Sequence, residues 1–354
     1  EAETLAFVGD RPEVAVLLEH GRRDEGRPRL GSRVDPLLLG ADHTRLRKLV
    51  SRAFTPRSVE RLRPSMRTLA GELTDRIAPA GRCEFMADFA DHYPIQLICE
   101  LLGVPKEDHE LFGRWSNDMT WLLSLELQAH LAEAAQAMTE LWAYLEAFIA
   151  ERRTRPEDDL VTALIQAEEG GDRMCAEELR TLIGSLLFAG YDTTRNQLGI
   201  GLFLFTQRPA QWRLLAEQPA LAPKAVEEIL RFQGVVGVAP RVAYEPLTIG
   251  NYDVPAGTMV SLSTASANHD PAVHTDPERF DITVDREPPL TFGGGPHYCL
   301  GANLADQRCA TDQIRIYEIR QEQRTAMVFH HNVSGPLGLV ASCAQVPARR
   351  ARTN

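Results

Sequence analysis

The sequence predicts a mainly α-helical protein with a small β region, organised as one continuous domain over residues 1–354. Three observations predict it. Apolar residues recur at helical spacing over long stretches, strand-like alternation is confined to one short segment, and a meander rich in proline and aspartate carries no period of its own. The composition, 44% hydrophobic and 25% charged, is that of an ordinary globular chain. A formal net charge of −11 argues against general nucleic-acid affinity.

Taken in order, the first predicted helix carries His43-Thr44-Arg45-Leu46-Arg47 and starts at Asp42 as its cap. His43 and Arg47 are four apart, share a face and can grip one carboxylate together. Arg45, Arg47, Lys48, Arg52, Arg57, Arg61 and Arg63 make this region basic within an acidic chain. Leu127–Arg152, rich in Ala, Leu and Glu, reads as a long helix. Pro156 and Glu157-Asp158-Asp159 mark a turn and a helix start ahead of Leu160.

Ala176–Phe205 is the next long helix, with apolar positions at Leu179, Leu182, Ile183 and Leu186. Its middle reads Ala189-Gly190-Tyr191-Asp192-Thr193-Thr194, a poor way to continue a helix. A threonine hydroxyl bonded back to the preceding turn would widen the helix and open a groove for water or dioxygen. Asp192 and Arg195 also interrupt the apolar run Leu182–Phe205, which argues against a membrane span. A further helix begins after Pro223 and carries Glu228 and Arg231 on one face. Alone, such a pair is worth little at a surface. Leu247–Ser263 alternates and is broken by Gly250-Asn251 and Pro255-Ala256-Gly257, which predicts a hairpin. Asn268–Pro289 is the meander and contains Pro277-Glu278-Arg279-Phe280.

Cys299 follows, in a glycine-rich turn that leads into a predicted helix over Leu300–Arg308. Glycines let backbone fold tightly and approach a flat ligand closely. A thiolate near backbone amides and a helix start is stabilised as the metal-binding anion. A phosphate loop would need Gly-Lys-Ser/Thr after its glycines, and none follows. Cys83, Cys99, Cys175, Cys299, Cys309 and Cys343 show no Cys-x-x-Cys pairing, which fits a reducing compartment and argues against a disulfide framework or zinc site. No basic-then-apolar leader follows Glu1 and Glu3, so a cytoplasmic location is expected.

The stretch from Phe292 to Gly301 resembles the haem-binding loop of the cytochrome P-450 family, Phe-Gly-x-Gly-x-His-x-Cys-x-Gly, and fills every fixed position with Phe292, Gly293, Gly295, His297, Cys299 and Gly301. The resemblance implies a triangular helical prism around a buried haem b, with Cys299 as the axial iron ligand. It implies that Glu228 and Arg231 join Arg279 in a buried charge network under the cofactor. Asp192 and Thr193 would be the acid–alcohol pair that delivers protons to dioxygen. His43, Arg47, Arg241 and His297 would bind the haem propionates. The substrate pocket would draw on Leu182–Ala189, Val235–Ala239 and Trp115–Leu127, with Leu186, Ala189, Val236 and Val238 among its lining residues.

The implied activity is that of a soluble bacterial-type monooxygenase. It would insert one oxygen atom from O2 into an apolar small molecule such as a natural product, terpenoid or steroid. Ferredoxin and ferredoxin reductase would supply electrons, with ferredoxin docking on the basic region around Arg52 and Arg57. No nucleic acid or membrane partner is implied. A peroxide-driven oxygenase would not need Asp192 and Thr193, whose presence counts against it. A haem-binding or sensing protein without turnover is the alternative from another class. The resemblance covers Asp35 to Ala305. The portion before His43 is shorter than the family's usual one, and residues 306–354 depart from its pattern. There the stripe Ala305, Cys309, Ile316, Ile319 is interrupted by Asp312.

Overall fold

The computed structural model describes residues 41–51, 54–123, 126–169, 174–243 and 245–305, with four strand segments beyond them. Along the chain run α1 (Ala41–Ser51), α2 (Pro56–Ile77), α3 (Tyr93–Leu102), α4 (His109–Met119), α5 (Leu127–Thr154), α6 (Leu160–Glu169), α7 (Ala176–Gln207), α8 (Pro209–Glu217) and α9 (Ala222–Phe232). Next come β1 (Val238–Val242), β2 (Leu247–Ile249), β3 (Tyr252–Val254), β4 (Met259–Ser263) and the one-turn α10 (Thr264–Ala267). Beyond residue 326, β5 (Met327–Val328) pairs antiparallel with β8 (Ala344–Gln345), and β6 (His331–Asn332) with β7 (Val340–Ala341). The mainly helical class with a small β region is observed. The stripe through Cys309 and Asp312, Cys343, Arg52 and the side chain of Arg57 lie outside the described residues. Among the described residues, no helix is long and apolar enough to cross a membrane.

The chain forms two compact units, Glu1–Ala53 with Ile98–Ala189, and Phe54–Leu97 with Gly190–Asn354. The first unit is knitted by aromatic and ionic contacts between α4, α5 and the turn before α6. Phe112 meets Tyr144 edge-on with centroids 5.0 Å apart, and Trp115 at 5.3 Å. The Tyr144 hydroxyl donates to Asp108 at 2.6 Å, and Trp115 Nε1 to Glu140 at 2.8 Å. Arg152 is buried and donates to Asp159 Oδ2 at 2.7 Å and to the Gly103 carbonyl at 2.8 Å. Asp159 also accepts the Thr162 N–H at 2.7 Å, so it caps α6 where Asp158-Asp159 predicted a start. At the N-terminus of α7, Glu178 reaches back to the Cys175 N–H at 2.8 Å and pairs with Arg45 at 2.8 Å. α1 is already helical at Ala41, so Asp42 lies within it and is not its cap.

In the second unit α7, α8 and α9 pack on the meander through an aromatic cluster. Phe280 meets Phe205 and Phe232 edge-on at 5.7 and 5.6 Å, and the Arg208 guanidinium lies over Phe232 at 4.6 Å. β1 pairs antiparallel with β4, placing Arg241 opposite Val260. β2 and β3 form the predicted hairpin, with Gly250 at φ +59° taking the first position of its two-residue turn. β1 was not expected, because Pro240 within it argues against a strand. In a two-stranded sheet both strands are edges, where proline is tolerated. α7 is helical throughout, including Gly190-Tyr191-Asp192-Thr193-Thr194, in agreement with the helix predicted over Ala176–Phe205. Burial of Leu187, Tyr191, Thr194 and Leu198 along it outweighs the poor local propensities.

Candidate functional site

Phe292 through Gly301 form a tight loop in the second unit. Gly293 sits at φ +71° and ψ −155°, a region open essentially to glycine alone, and Gly295 at φ +67°. These two residues turn the chain so that the Cys299 N–H closes the loop onto the Phe292 carbonyl at 2.9 Å. The side chain of Cys299 is exposed, and Ala302–Ala305 after it is helical, as expected for the start of Leu300–Arg308. A Cβ built at Gly293, Gly294, Gly295 or Gly301 meets no atom within 4 Å, so the loop's face is open to a close-fitting group.

The loop is tied down by side chains for which the sequence carried no signal. Thr291 is buried and donates to the Leu230 carbonyl of α9 at 2.6 Å. Asn268 donates to Thr291 Oγ1 at 3.0 Å and accepts the Leu290 N–H at 2.7 Å. Gly234 allows this approach, since a Cβ there would lie 2.5 Å from Thr291 Cγ2. From α7, Gln197 accepts the Val235 N–H at 2.8 Å and donates to the Gln233 carbonyl at 3.1 Å, fixing the turn from α9 into β1.

Glu228 and Arg231 are 3% and 1% exposed and form a two-armed ion pair at 2.7 and 3.0 Å. Arg231 also donates to the carbonyls of Asn268 and Pro277, each at 2.9 Å, which pins the meander against α9. The second guanidinium on Glu228 belongs to Arg286, 2.8 Å away, and not to Arg279. Arg279 contributes its carbonyl to Arg231 and Arg286, while its exposed guanidinium pairs with Asp281 at 2.8 Å. The meander has no periodicity to say which of its arginines faces inward, and the sequence therefore pointed to the wrong one. Burial would raise the Asp281 carboxyl. Hydrogen bonds from the Thr283 side chain and N–H, together with Arg279 and Arg286, hold it below the usual range instead.

Asp192 and Thr193 lie in the α7 segment of the same unit, both half-buried. Burial pushes the Asp192 carboxyl above its ordinary value, against the pull of Arg195 and of a hydrogen bond from Asn196 Nδ2 at 2.9 Å.

Residues 37–310 match the sequence profile of the family described as Cytochrome P450. The chain belongs to the cytochrome P450 family. It is 41% identical over 269 residues to luteothin monooxygenase of Streptomyces thioluteus, covering 75% of this chain and 66% of that one. It is 43% identical over 267 residues to the mycinamicin IV hydroxylase/epoxidase of Micromonospora griseorubida, covering 75% and 66%. The match thus spans just under two thirds of each of these relatives. Among solved structures, P450BioI in complex with an acyl carrier protein ligated to hexadec-9Z-enoic acid superposes with a TM-score of 0.79 at 31% identity, over 86% of this chain and 78% of that one.

The residues present fit the P450 family's haem-thiolate cofactor. A thiol stands at an open glycine loop, and Val236, Val238, Leu290 and Tyr298 present exposed apolar surface in the same unit. Of the expected propionate partners, His43 and Arg47 lie one turn apart on α1, half-buried. In the second unit His297 is half-buried in the cysteine loop, and Arg241 is exposed on β1 with its Nη1 on the Pro240 carbonyl at 2.8 Å. Of the expected pocket residues, Val236 and Val238 are 42% and 52% exposed, Leu186 is half-buried and Ala189 exposed. Trp115 is turned into the aromatic core of the first unit.

Proposed function

We propose that this P450 is a monooxygenase that inserts one oxygen atom of O2 into an apolar small molecule, with electrons from a ferredoxin and its reductase. The observation that carries the proposal is the Cys299 thiol on a loop whose glycine torsions and open face suit a flat cofactor. Haem b, when bound, supplies the redox chemistry of dioxygen cleavage, and a cysteine ligand favours it by donating electron density. Cys299 would hold the iron through Sγ, and His43, Arg47, Arg241 and His297 would hold the two carboxylates. Asp192 would hold a proton on its carboxyl oxygen and the Thr193 hydroxyl would relay it into the site, serving as the route for the two protons that the oxygen atom leaving as water requires. A carboxyl raised by burial is suited to that task, because it holds its proton to higher pH than an exposed one. Val236, Val238, Leu186 and Ala189 would offer the substrate only apolar contacts. The relatives' names, luteothin monooxygenase and mycinamicin IV hydroxylase/epoxidase, support screening natural products first.

Arg45 pairs with Glu178 and Arg63 with Glu60, and the excess of basic over acidic residues in this stretch of the sequence supports its attracting an acidic electron carrier. Reversing Arg52 and Arg57 to Glu is expected to slow reduction by ferredoxin, and unchanged reduction would discard that docking surface. The central experiment adds carbon monoxide to the reduced protein and follows the Soret band, then measures product with a surrogate ferredoxin system. A thiolate-type spectrum that persists in Cys299→Ser would remove the proposed ligand. Thr193→Ala is expected to lower product per electron consumed by about ten-fold or more, the scale of a lost acid–base group.

A further inference from the structure

Among the described residues, the cation that acts directly on Asp192 is Arg195, three residues further along α7. An arginine at that spacing is a helical neighbour of the acid and can pair with it, which would favour the carboxylate. Here it does not. Arg195 Nε is engaged by Asp91 Oδ1, more than a hundred residues earlier in the chain and in the same unit. Its guanidinium also lies 6.0 Å from the centre of the buried Tyr191 ring. The Asp192 carboxyl is left with the neutral amide of Asn196 as its hydrogen-bond partner, at 2.9 Å.

The segment that delivers Asp91 is specifically shaped. Met86–Ala90 forms a single π-helical turn, a form rare in proteins and concentrated at functional sites. The Asp91 N–H closes that turn onto the Met86 carbonyl at 2.8 Å. Phe85, Phe89 and Tyr93 stack in series beside it with centroids 5.4 and 5.5 Å apart. α7 receives the turn at Gly199, where a Cβ would lie 2.7 Å from Met86 Sδ. The turn and α7 are therefore in close contact one helical turn from Arg195.

We propose that Asp91 is a positioning residue for Asp192: by clamping Arg195 it keeps the guanidinium off the acid and leaves the carboxyl to Asn196. The assignment rests on Asp192 being the proton-carrying acid, but its geometry does not. Among the described residues, the charged and titratable groups facing Asp192 are Arg195, Tyr191 and, through Arg195, Asp91. Burial raises the carboxyl, and Arg195 is already the larger of the two influences that lower it. Releasing Arg195 from Asp91 would strengthen that influence. Asp192 would then stay ionised to lower pH and deliver protons less readily.

The test is a pH titration followed by infrared difference spectroscopy, using the carboxylic C=O band that disappears in Asp192→Asn to identify the group. In Asp91→Asn the midpoint of that band is expected to fall by about one pH unit or more, the effect of a guanidinium moving within contact range. Asp91→Glu is expected to restore it. Arg195→Gln is expected to raise the midpoint by less than about one unit, because the native guanidinium is held away. An unmoved midpoint in Asp91→Asn would overturn the clamp. A large rise in Arg195→Gln would do the same, including when Asp91→Asn fails to fold. Product per electron is measured on the same variants. A shifted midpoint with unchanged coupling would leave the clamp standing and discard Asp192 as the proton carrier, which keeps the two failures distinct.

Discussion

Glu228 accepts from Arg231 through both carboxylate oxygens, takes the Asp281 N–H at 2.9 Å and pairs with Arg286. The Arg231 guanidinium is buried at 1% side-chain exposure and has no water to replace a lost anion, while the Arg286 side chain is 9% exposed. Glu228→Gln keeps the shape and removes the charge. It is expected to cost about 3–5 kcal/mol, the usual penalty for leaving a buried charge unpaired, read as a lower midpoint in urea unfolding. Gly293 is a different kind of residue, constrained by torsion alone. Gly293→Ala meets no steric contact yet forces a side chain to φ +71°, so a loss of about 1–3 kcal/mol is expected. Gly301→Ala is equally open and its backbone is not at positive φ, so it should stay within about 0.5 kcal/mol. Similar losses in the two variants would show that space, and not torsion, decides the loop.

At the scale of the element, α7 shows how local and tertiary terms divide. Its N-terminus is fixed by Glu178, whose carboxyl burial alone would raise. The Arg45 pair and the Cys175 N–H hold it below the usual range instead. A folded value below the unfolded one contributes stability that is fully present above about pH 4.3 and is lost as pH falls through the folded value. The native protein is therefore expected to lose thermal stability more steeply in acid than Glu178→Gln, and parallel curves would remove Glu178 from the account. The long helices were legible because their periodicity and their packing demand the same residues, as at Leu179, Leu182 and Ile183. The middle of α7 stays helical although Gly190 and Thr193 carry a local cost, because burial of Leu187, Tyr191, Thr194 and Leu198 holds the helix there. β1 was hidden by Pro240, which local rules penalise and an edge strand accepts.

At the scale of the whole molecule, the cysteine loop could be read from ten consecutive residues because its chemistry is contiguous. Its supports could not. Asn268, Thr291 and Arg286 act through partners 22 to 61 residues away, and as single polar residues in irregular chain they carry no period or motif. Asp91 is more distant still from Arg195. Such contacts exist only after α9, the meander and the loop have closed on one another, which ties the loop's order to the cohesion of the second unit. A ligand that binds only the folded form adds stability by mass action, about 4 kcal/mol at a thousand times its dissociation constant. Removing haem should therefore lower the unfolding temperature. Amide exchange should rise first where the loop is anchored, in residues 228–242 and 290–305. The α4–α5 cluster around Tyr144 and Arg152, held by its own aromatic and ionic contacts, should keep its protection. Hydrogen exchange on holo- and haem-stripped protein, segment by segment, checks this directly. Equal loss of protection in both units would mean that cofactor binding is coupled to the whole fold, and not to the anchored loop.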